Sequence, residues 1–210
     1  RTSCNVLALK EIIVSDIIAR DSNPLNVFPR GWFIISAAND LAIGDVKPLR
    51  YFAKDLVLFR TEDGAPVLLD AHCPHLGAHL GYGGTVVGNT VRCPFHAWQF
   101  DQTGQCTHIP YAKQIPAKGK TQSYPVKEAN GVIFYWHDPE LGEPEYDIPV
   151  LEEFGHPDWF PWSLEKIEIR TQPREVMENV ADVAHFEYVH GMKAVTHFEN
   201  IFEGHTARQI

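Results

Sequence analysis

No stretch of the 210 residues stays apolar long enough to cross a bilayer. The best candidate, LALKEIIVSDII, is broken by Lys10, Glu11 and Asp16 and reads as an amphipathic helix. Positive charge is also scarce. Lys and Arg number 18 against 27 Asp and Glu, for a formal net charge of −9. That balance argues against nucleic acid as the main partner, because phosphate contacts need clustered basic residues. There is no secretory leader pattern, no internal repeat and no low-complexity tract. Cysteine is limited to Cys4, Cys73, Cys93 and Cys106. The expected location is cytoplasmic. The chain begins at Arg1 and not at Met, so the natural N-terminus is expected upstream.

What is present points to a β-rich, turn-rich chain. Hydrophobic residues make up 44%, enough for a sizeable core in one or two domains, and Pro and Gly number 15 each. DLVLFR and PVLLD flank TEDGA, a hairpin pattern. TVV and TVRC flank Gly88-Asn89, AWQFD precedes Gln102-Thr103-Gly104, and GVIFYW closes the region. Residues 138–161 are rich in Pro and acid and read as a linker. SLEKIEIR then alternates as a half-buried strand would. From Arg174 the apolar residues Val176, Val180, Val183 and Ala184 fall at helical spacing, with Gly191 as the stop.

Two short boxes carry metal-ligand chemistry. Cys73-Pro-His75 is C-x-H and Cys93-Pro-Phe-His96 is C-x-x-H, with Gly77, Gly81, Gly83 and Gly84 after the first. Two thiolates and two imidazoles could bind zinc in a tetrahedron. They could equally hold a [2Fe–2S] cluster, both thiolates on one iron and both histidines on the other. The mixed C-x-H box, the Gly-rich turn after it and the all-β setting favour the cluster.

A second pattern lies in ENVADVAHFEYVHG, residues 178–191. His185 and His190 are five apart, about 140° round a regular helix. Zinc proteases set such pairs four apart, on one face. Two histidines and one carboxylate bind non-haem Fe(II) on one face of an octahedron. For this pair to converge, a π-bulge or an unwinding is expected between His185 and Gly191. The plain alternative is two histidines on an amphipathic helix with no metal.

The boxes resemble a Rieske domain. Rieske proteins of respiratory and photosynthetic complexes carry an extra Cys in each box, where this chain has Ala78 and Phe95. The resemblance therefore implies the disulfide-free kind found in oxygenases and their ferredoxins, towards the low end of the Rieske range near about −150 mV. It also implies that Trp98 helps cover the cluster. Cys4 and Cys106 have no motif partners and read as structural. The run Asn179-x-x-Asp182-x-x-His185-x-x-x-x-His190 resembles the signature of Rieske non-haem iron oxygenase terminal components. PREVMENVADVAHFEYVHG and HFENIFEGHTARQ look most like the steroid branch, that of 3-ketosteroid 9α-hydroxylase and sterol-acting relatives.

The resemblance implies an α+β chain: residues 1–28 an N-terminal helical segment, 29–140 an antiparallel β Rieske domain, 141–162 a linker, and 163–210 the start of a helix-grip catalytic domain. It implies that Cys73, His75, Cys93 and His96 ligate the cluster and that His185 and His190 bind the mononuclear Fe(II). The third, carboxylate ligand is expected beyond residue 210; neither Glu178 nor Glu187 is assigned that place. Asp182 would bridge to His96 of a neighbouring subunit in a homotrimer, and Asn179 would lie near the iron. The implied partners are a ferredoxin or flavin reductase, O2 and a hydrophobic small molecule. The expected activity is monooxygenation of a C–H bond of a steroid or sterol, hydroxylation first. The rivals are an aromatic-ring hydroxylating oxygenase, a Rieske ferredoxin that only carries electrons, and a structural zinc module.

Overall fold

The computed structural model describes residues 28–210, save 163, 166, 172, 194, 205 and 210. The expected N-terminal helix and Cys4 lie outside the described residues. The chain divides into two units, up to Pro161 and from Trp162 onward.

The first unit is built on strands β1 (Gly31–Ala37), β2 (Val46–Tyr51), β3 (Lys54–Arg60), β4 (Pro66–Asp70), β5 (Thr85–Val87), β6 (Thr90–Arg92), β7 (Gln99–Phe100), β8 (Cys106–His108), β9 (Ser123–Tyr124), β10 (Val126–Ala129) and β11 (Val132–His137). The run Leu56-Val57-Leu58-Phe59 explains their arrangement. Successive strand side chains point to opposite faces, so four consecutive apolar residues cannot serve one core. All four are 0% exposed. Their strand must therefore be covered on both sides. It lies inside an antiparallel sheet of order β2-β3-β4-β9. On one side Leu56, Leu58 and Leu68 pack with Ile35, Ile133 and Tyr135, from the sheet β1-β11-β10. On the other, Val57, Phe59, Val67 and Leu69 pack with Leu80, Val91, Phe100, Cys73 and Cys93. That second core includes the sheet β5-β6-β7-β8 and carries both metal-ligand boxes. Each such side chain contributes about 1.5–3 kcal/mol on burial.

The expected hairpins form. The TEDGA turn joins β3 to β4, with Thr61 N–H donating to the Ala65 carbonyl at 3.0 Å. Gly88-Asn89 joins β5 to β6. Between β7 and β8 the Asp101 carboxylate accepts the N–H groups of Thr103 at 2.8 Å and Gln105 at 3.1 Å.

Residues 138–161 contain no helix or strand, yet they are pinned to the first unit. Trp32 Nε1 donates to the Tyr146 carbonyl at 2.9 Å, and Trp136 Nε1 to that of Gly142 at 3.0 Å. Asn130 donates to the Pro149 carbonyl and accepts from Leu151 N–H. The segment is a strap over the β1-β11-β10 sheet, and the Pro and acid content that suggested a loose linker conceals these bonds.

In the second unit α1 (Pro173–Ala181) and α2 (Ala184–His190) precede an antiparallel hairpin of β12 (Asn200–Glu203) and β13 (Thr206–Gln209). The strand expected for SLEKIEIR is corrected. Its described residues lie in no strand, and Leu164, Ile167 and Ile169 are exposed. Alternation alone does not make a strand, because the ladder needs a neighbour to satisfy its backbone groups. Among the described residues no strand pairs with this run. No described helix is long and apolar enough to cross a membrane.

Candidate metal centres

The two boxes fold into the same turn. In CPHLGA, Cys73 N–H donates to the Ala78 carbonyl at 2.9 Å, and Gly77 N–H returns to the Cys73 carbonyl at 2.9 Å. In CPFHAW, Cys93 N–H donates to the Trp98 carbonyl at 2.8 Å, and Ala97 N–H to the Cys93 carbonyl at 3.1 Å. The fourth step of each turn is left-handed, with φ +75° at Gly77 and +58° at Ala97. Glycine takes that conformation freely, whereas alanine does so at a cost of about 1–2 kcal/mol.

These turns bring together all five residues expected at the first centre. The Cys73 and Cys93 side chains are buried at 2% and 3% exposure. Burial pushes the Cys73 thiol up to about 12, with neighbouring Cys93 adding to the effect. A dry pair of sulfurs can be thiolates only beside a cation, which is what a metal supplies. The His75 and His96 rings meet edge to face, 4.6 Å between centroids. His75 Nδ1 is buried without a hydrogen-bond partner. A buried nitrogen lone pair left unpaired is costly in a folded protein and is what a metal ligand offers. Sulfurs inside, imidazoles outward and an orphaned nitrogen fit a [2Fe–2S] cluster with one cysteine pair and one histidine pair. Among the described residues no three His, Cys, Asp or Glu side chains converge on a single ion.

Trp98 lies against this group. Its indole is stacked on His75 with centroids 4.8 Å apart and planes 8° apart. Its N–H donates to the Tyr111 hydroxyl at 2.7 Å. Tyr111 carried no signal in the sequence: it lies outside both boxes, and nothing in its spacing marks it. Phe95 and Ala78 hold no sulfur, so no disulfide braces the boxes. Phe95 lies on His96 at 4.0 Å, while Ala78 packs into the core. Cys106 is buried in the same core as a free thiol, in keeping with a structural role.

The second centre is set by a break in the helix. The last turn of α1 closes with Asp182 N–H on the Glu178 carbonyl at 3.0 Å and the Asn179 carbonyl at 3.3 Å. The Asp182 carboxylate then accepts Ala184 N–H at 3.1 Å, satisfying one free donor of the next helix. Its other oxygen lies 3.6 Å from His185 Nδ1. That is an ion-pair distance, too long for a hydrogen bond, and Nδ1 is buried with no bonded partner.

The His185 and His190 rings do converge, with centroids 5.2 Å apart at 68°. The expected bulge or unwinding between His185 and Gly191 is corrected in position. Helix α2 is regular from Ala184 to His190. The interruptions flank it, at Asp182–Val183 and at Gly191, whose φ of +62° ends the helix. Gly191 N–H caps the Glu187 carbonyl and Met192 N–H that of Phe186. A helix of two turns places the pair at its two ends, and their side chains reach across the Phe186 side, with rings of His185 and Phe186 4.6 Å apart. Asn179 is exposed on the last turn of α1. Glu178 and Glu187 are exposed.

Known proteins share both parts. The Rieske [2Fe-2S] domain matches residues 31–125, and the 3-ketosteroid 9alpha-hydroxylase C-terminal domain matches residues 135–210. A probable 3-ketosteroid-9-alpha-monooxygenase oxygenase component of Rhodococcus rhodochrous is 42% identical, over 89% of this chain and 47% of its own length. A cholesterol 7-desaturase of Hemicentrotus pulcherrimus is 38% identical, over 87% of this chain and 40% of its own. The chain thus spans about half the length of the curated relatives it matches. Among solved structures, dicamba monooxygenase bound to dicamba superposes with a TM-score of 0.67 at 26% identity, covering 86% of this chain and 55% of that one.

Proposed function

Because the chain belongs to the Rieske oxygenase family, we propose that it is the electron-receiving and iron-holding part of a terminal oxygenase acting on a steroid or sterol. The observation that carries this reading is the presence of two ligand sets in one chain. Cys73, His75, Cys93 and His96 form one, and His185 with His190 forms the other, Asp182 beside it. An electron carrier needs only the first set. A zinc module needs neither the paired geometry nor the second set.

In this reading Cys73, Cys93, His75 and His96 hold the cluster and receive single electrons from a ferredoxin or flavin reductase. His185 and His190 hold a mononuclear Fe(II), with a carboxylate beyond residue 210. The iron, when bound, supplies the activation of O2 for oxidation of an unactivated C–H bond. This chain's residues orient the ligands. The Asp182 carboxylate, 3.6 Å from His185 Nδ1, favours the proton on that nitrogen and so leaves Nε2 for the metal. The same carboxylate reaches His96 of a neighbouring subunit, which makes a homotrimer the working assembly. Asn179 stands near the iron.

The substrate class is supported by relatives whose names pair a 3-ketosteroid with a monooxygenase and cholesterol with a desaturase. Hydroxylation is the first expectation and desaturation the second. The test is product analysis of the full-length enzyme with a steroid panel, a reductase and O2. Oxidised steroid is the expected product. Turnover of simple arenes with none of the steroids would favour an aromatic-ring oxygenase.

A further inference from the structure

We propose that Tyr111 is a positioning residue for the Rieske cluster, acting through Trp98 on His75. The proposal rests on the cluster reading given above. It begins with an asymmetry in the support of the two imidazoles. His75 is sandwiched: Trp98 lies parallel to one face at 4.8 Å and 8°, and His96 meets it edge to face at 4.6 Å. His75 Nδ1, the nitrogen offered to the metal, makes no hydrogen bond within the chain, and a single metal bond leaves the ring free to turn about it. Packing against Trp98 therefore orients it.

The indole is itself held at two points. Its main chain closes the second turn through the Cys93 bond, and its side chain is anchored through Nε1 on the Tyr111 hydroxyl at 2.7 Å. Trp98 is only 7% exposed, so its N–H has little access to water as a substitute partner. A buried donor left unpaired costs about 1–3 kcal/mol. Without the hydroxyl the indole gains by turning its N–H outward, and the parallel stack with His75 is lost. Tyr111 is suited to act as a fixed peg. It is 62% exposed, so the core does not depend on its ring, and it follows Ile109, which is buried at 4% in the core around the boxes. The Ile109 carbonyl accepts Ala112 N–H at 3.2 Å, closing the turn that presents Tyr111.

The direction of the effect follows from charge. The electron-rich indole face favours the more positive, oxidised state of a metal-bound imidazole. The indole also keeps water from a centre that becomes more negative on reduction, and exclusion of water tunes potential. Losing the stack removes both influences, and each loss favours the reduced form. Tyr111 thus keeps the cluster's potential low.

The test uses the full-length holoenzyme with Tyr111→Phe, which removes one oxygen from an exposed ring. Iron should stay at about three and inorganic sulfide at about two per chain. The reduction equilibrium should shift about threefold towards the reduced form, about 28 mV upward for a one-electron couple at 59 mV per tenfold. The electron paramagnetic resonance signal of the reduced cluster should change its anisotropy. Trp98→Phe, which deletes the N–H, should shift the potential in the same direction, and adding Tyr111→Phe to it should shift nothing further. A cluster whose potential and spectrum ignore Tyr111→Phe overturns the proposal while leaving the cluster reading intact. An equal Tyr111→Phe shift in the Trp98→Phe background overturns it too, since the effect would not pass through the indole. A wild-type protein with zinc and no sulfide overturns both readings at once.

Discussion

Asp182 and His185 face each other across 3.6 Å, three residues apart, at the point where one helix ends and the next begins. One carboxylate oxygen stays on the helix as a cap for Ala184 N–H, and the other lies against the imidazole. Replacing Asp182 by Asn keeps an acceptor for the cap but removes the charge. In the full-length enzyme Asp182→Asn should retain both metals and lose about 10–100-fold in turnover, the range typical for a group that orients a metal-binding histidine. Normal single-turnover reduction of the iron in that variant would refute the bridging role.

The paired histidines predict a selective loss. His185→Ala or His190→Ala should remove the mononuclear iron and abolish product formation, while the visible spectrum of the cluster persists. Iron analysis should fall from three to about two per chain. Loss of the cluster together with the iron would mean that these residues support the fold and not a separate metal.

Substitution at the first centre should be all or none. Cys93→Ser should bleach the visible absorption and leave neither iron nor sulfide in the first unit. Its thiolate is one of the four ligands assigned to the cluster, and a serine hydroxyl is a poor replacement for a thiolate. A colourless wild-type protein holding one zinc would reverse this expectation.

His137 gives the first unit a pH limit. Its ring is 4% exposed, stacked on Phe52 at 3.9 Å and 14°, with Nε2 buried and unpartnered. Burial, then the charge of Lys54, hold its pKa below the ordinary histidine value, against a weaker pull from Asp138. Tyr135 adds a neutral hydroxyl 3.4 Å from Nδ1. The unfolded chain therefore binds this proton at higher pH than the folded one. Stability is complete above about pH 6.5 and falls as pH drops below it, by at most about 1.4 kcal/mol per pH unit. Thermal midpoints across pH 5–8 should show this slope, and His137→Phe should flatten it. An unchanged slope would place the acid sensitivity elsewhere.

Gly84 predicts a steric lesion. A Cβ there would sit 2.1 Å from the Leu80 carbonyl oxygen, and Leu80 is fully buried beneath the first box. Backbone cannot give way as a side chain can. Gly84→Ala should destabilise the first unit by about 3 kcal/mol, read as a drop in denaturant midpoint. A near-neutral result would show that the turn relaxes.

The cluster boxes were legible because ligand chemistry fixes both residue type and spacing, and hairpins were legible because turn residues sit at fixed offsets. Other features were hidden for particular physical reasons. The strand expected for SLEKIEIR failed because alternation reports which face is apolar, not whether a neighbour exists to pair with. The break at Asp182–Val183 was misplaced by treating residues 174–190 as one helix. Asp182 can end one helix and cap the next, and its spacing from His185 does not reveal which. Tyr111 was missed because a hydrogen bond between side chains 13 positions apart depends on how two turns meet. The strap at 138–161 read as a linker because Pro and acid describe a backbone without regular structure, whether or not other side chains bind it.

The strand Lys54–Arg60 lends one face to each of the two cores, and this couples them. Leu58 and Phe59 are neighbours in sequence but belong to opposite compartments. A defect in the compartment behind Ile133 and Tyr135 therefore reaches the thiols of Cys73 and Cys93 through this strand and its neighbour Pro66–Asp70, whose Leu68 and Leu69 likewise belong to opposite cores. Occupancy of the cluster becomes a readout of folding for the whole first unit. Within a population of molecules, partial loss of colour would count the fraction unfolded and would not signify a weakened centre in every molecule.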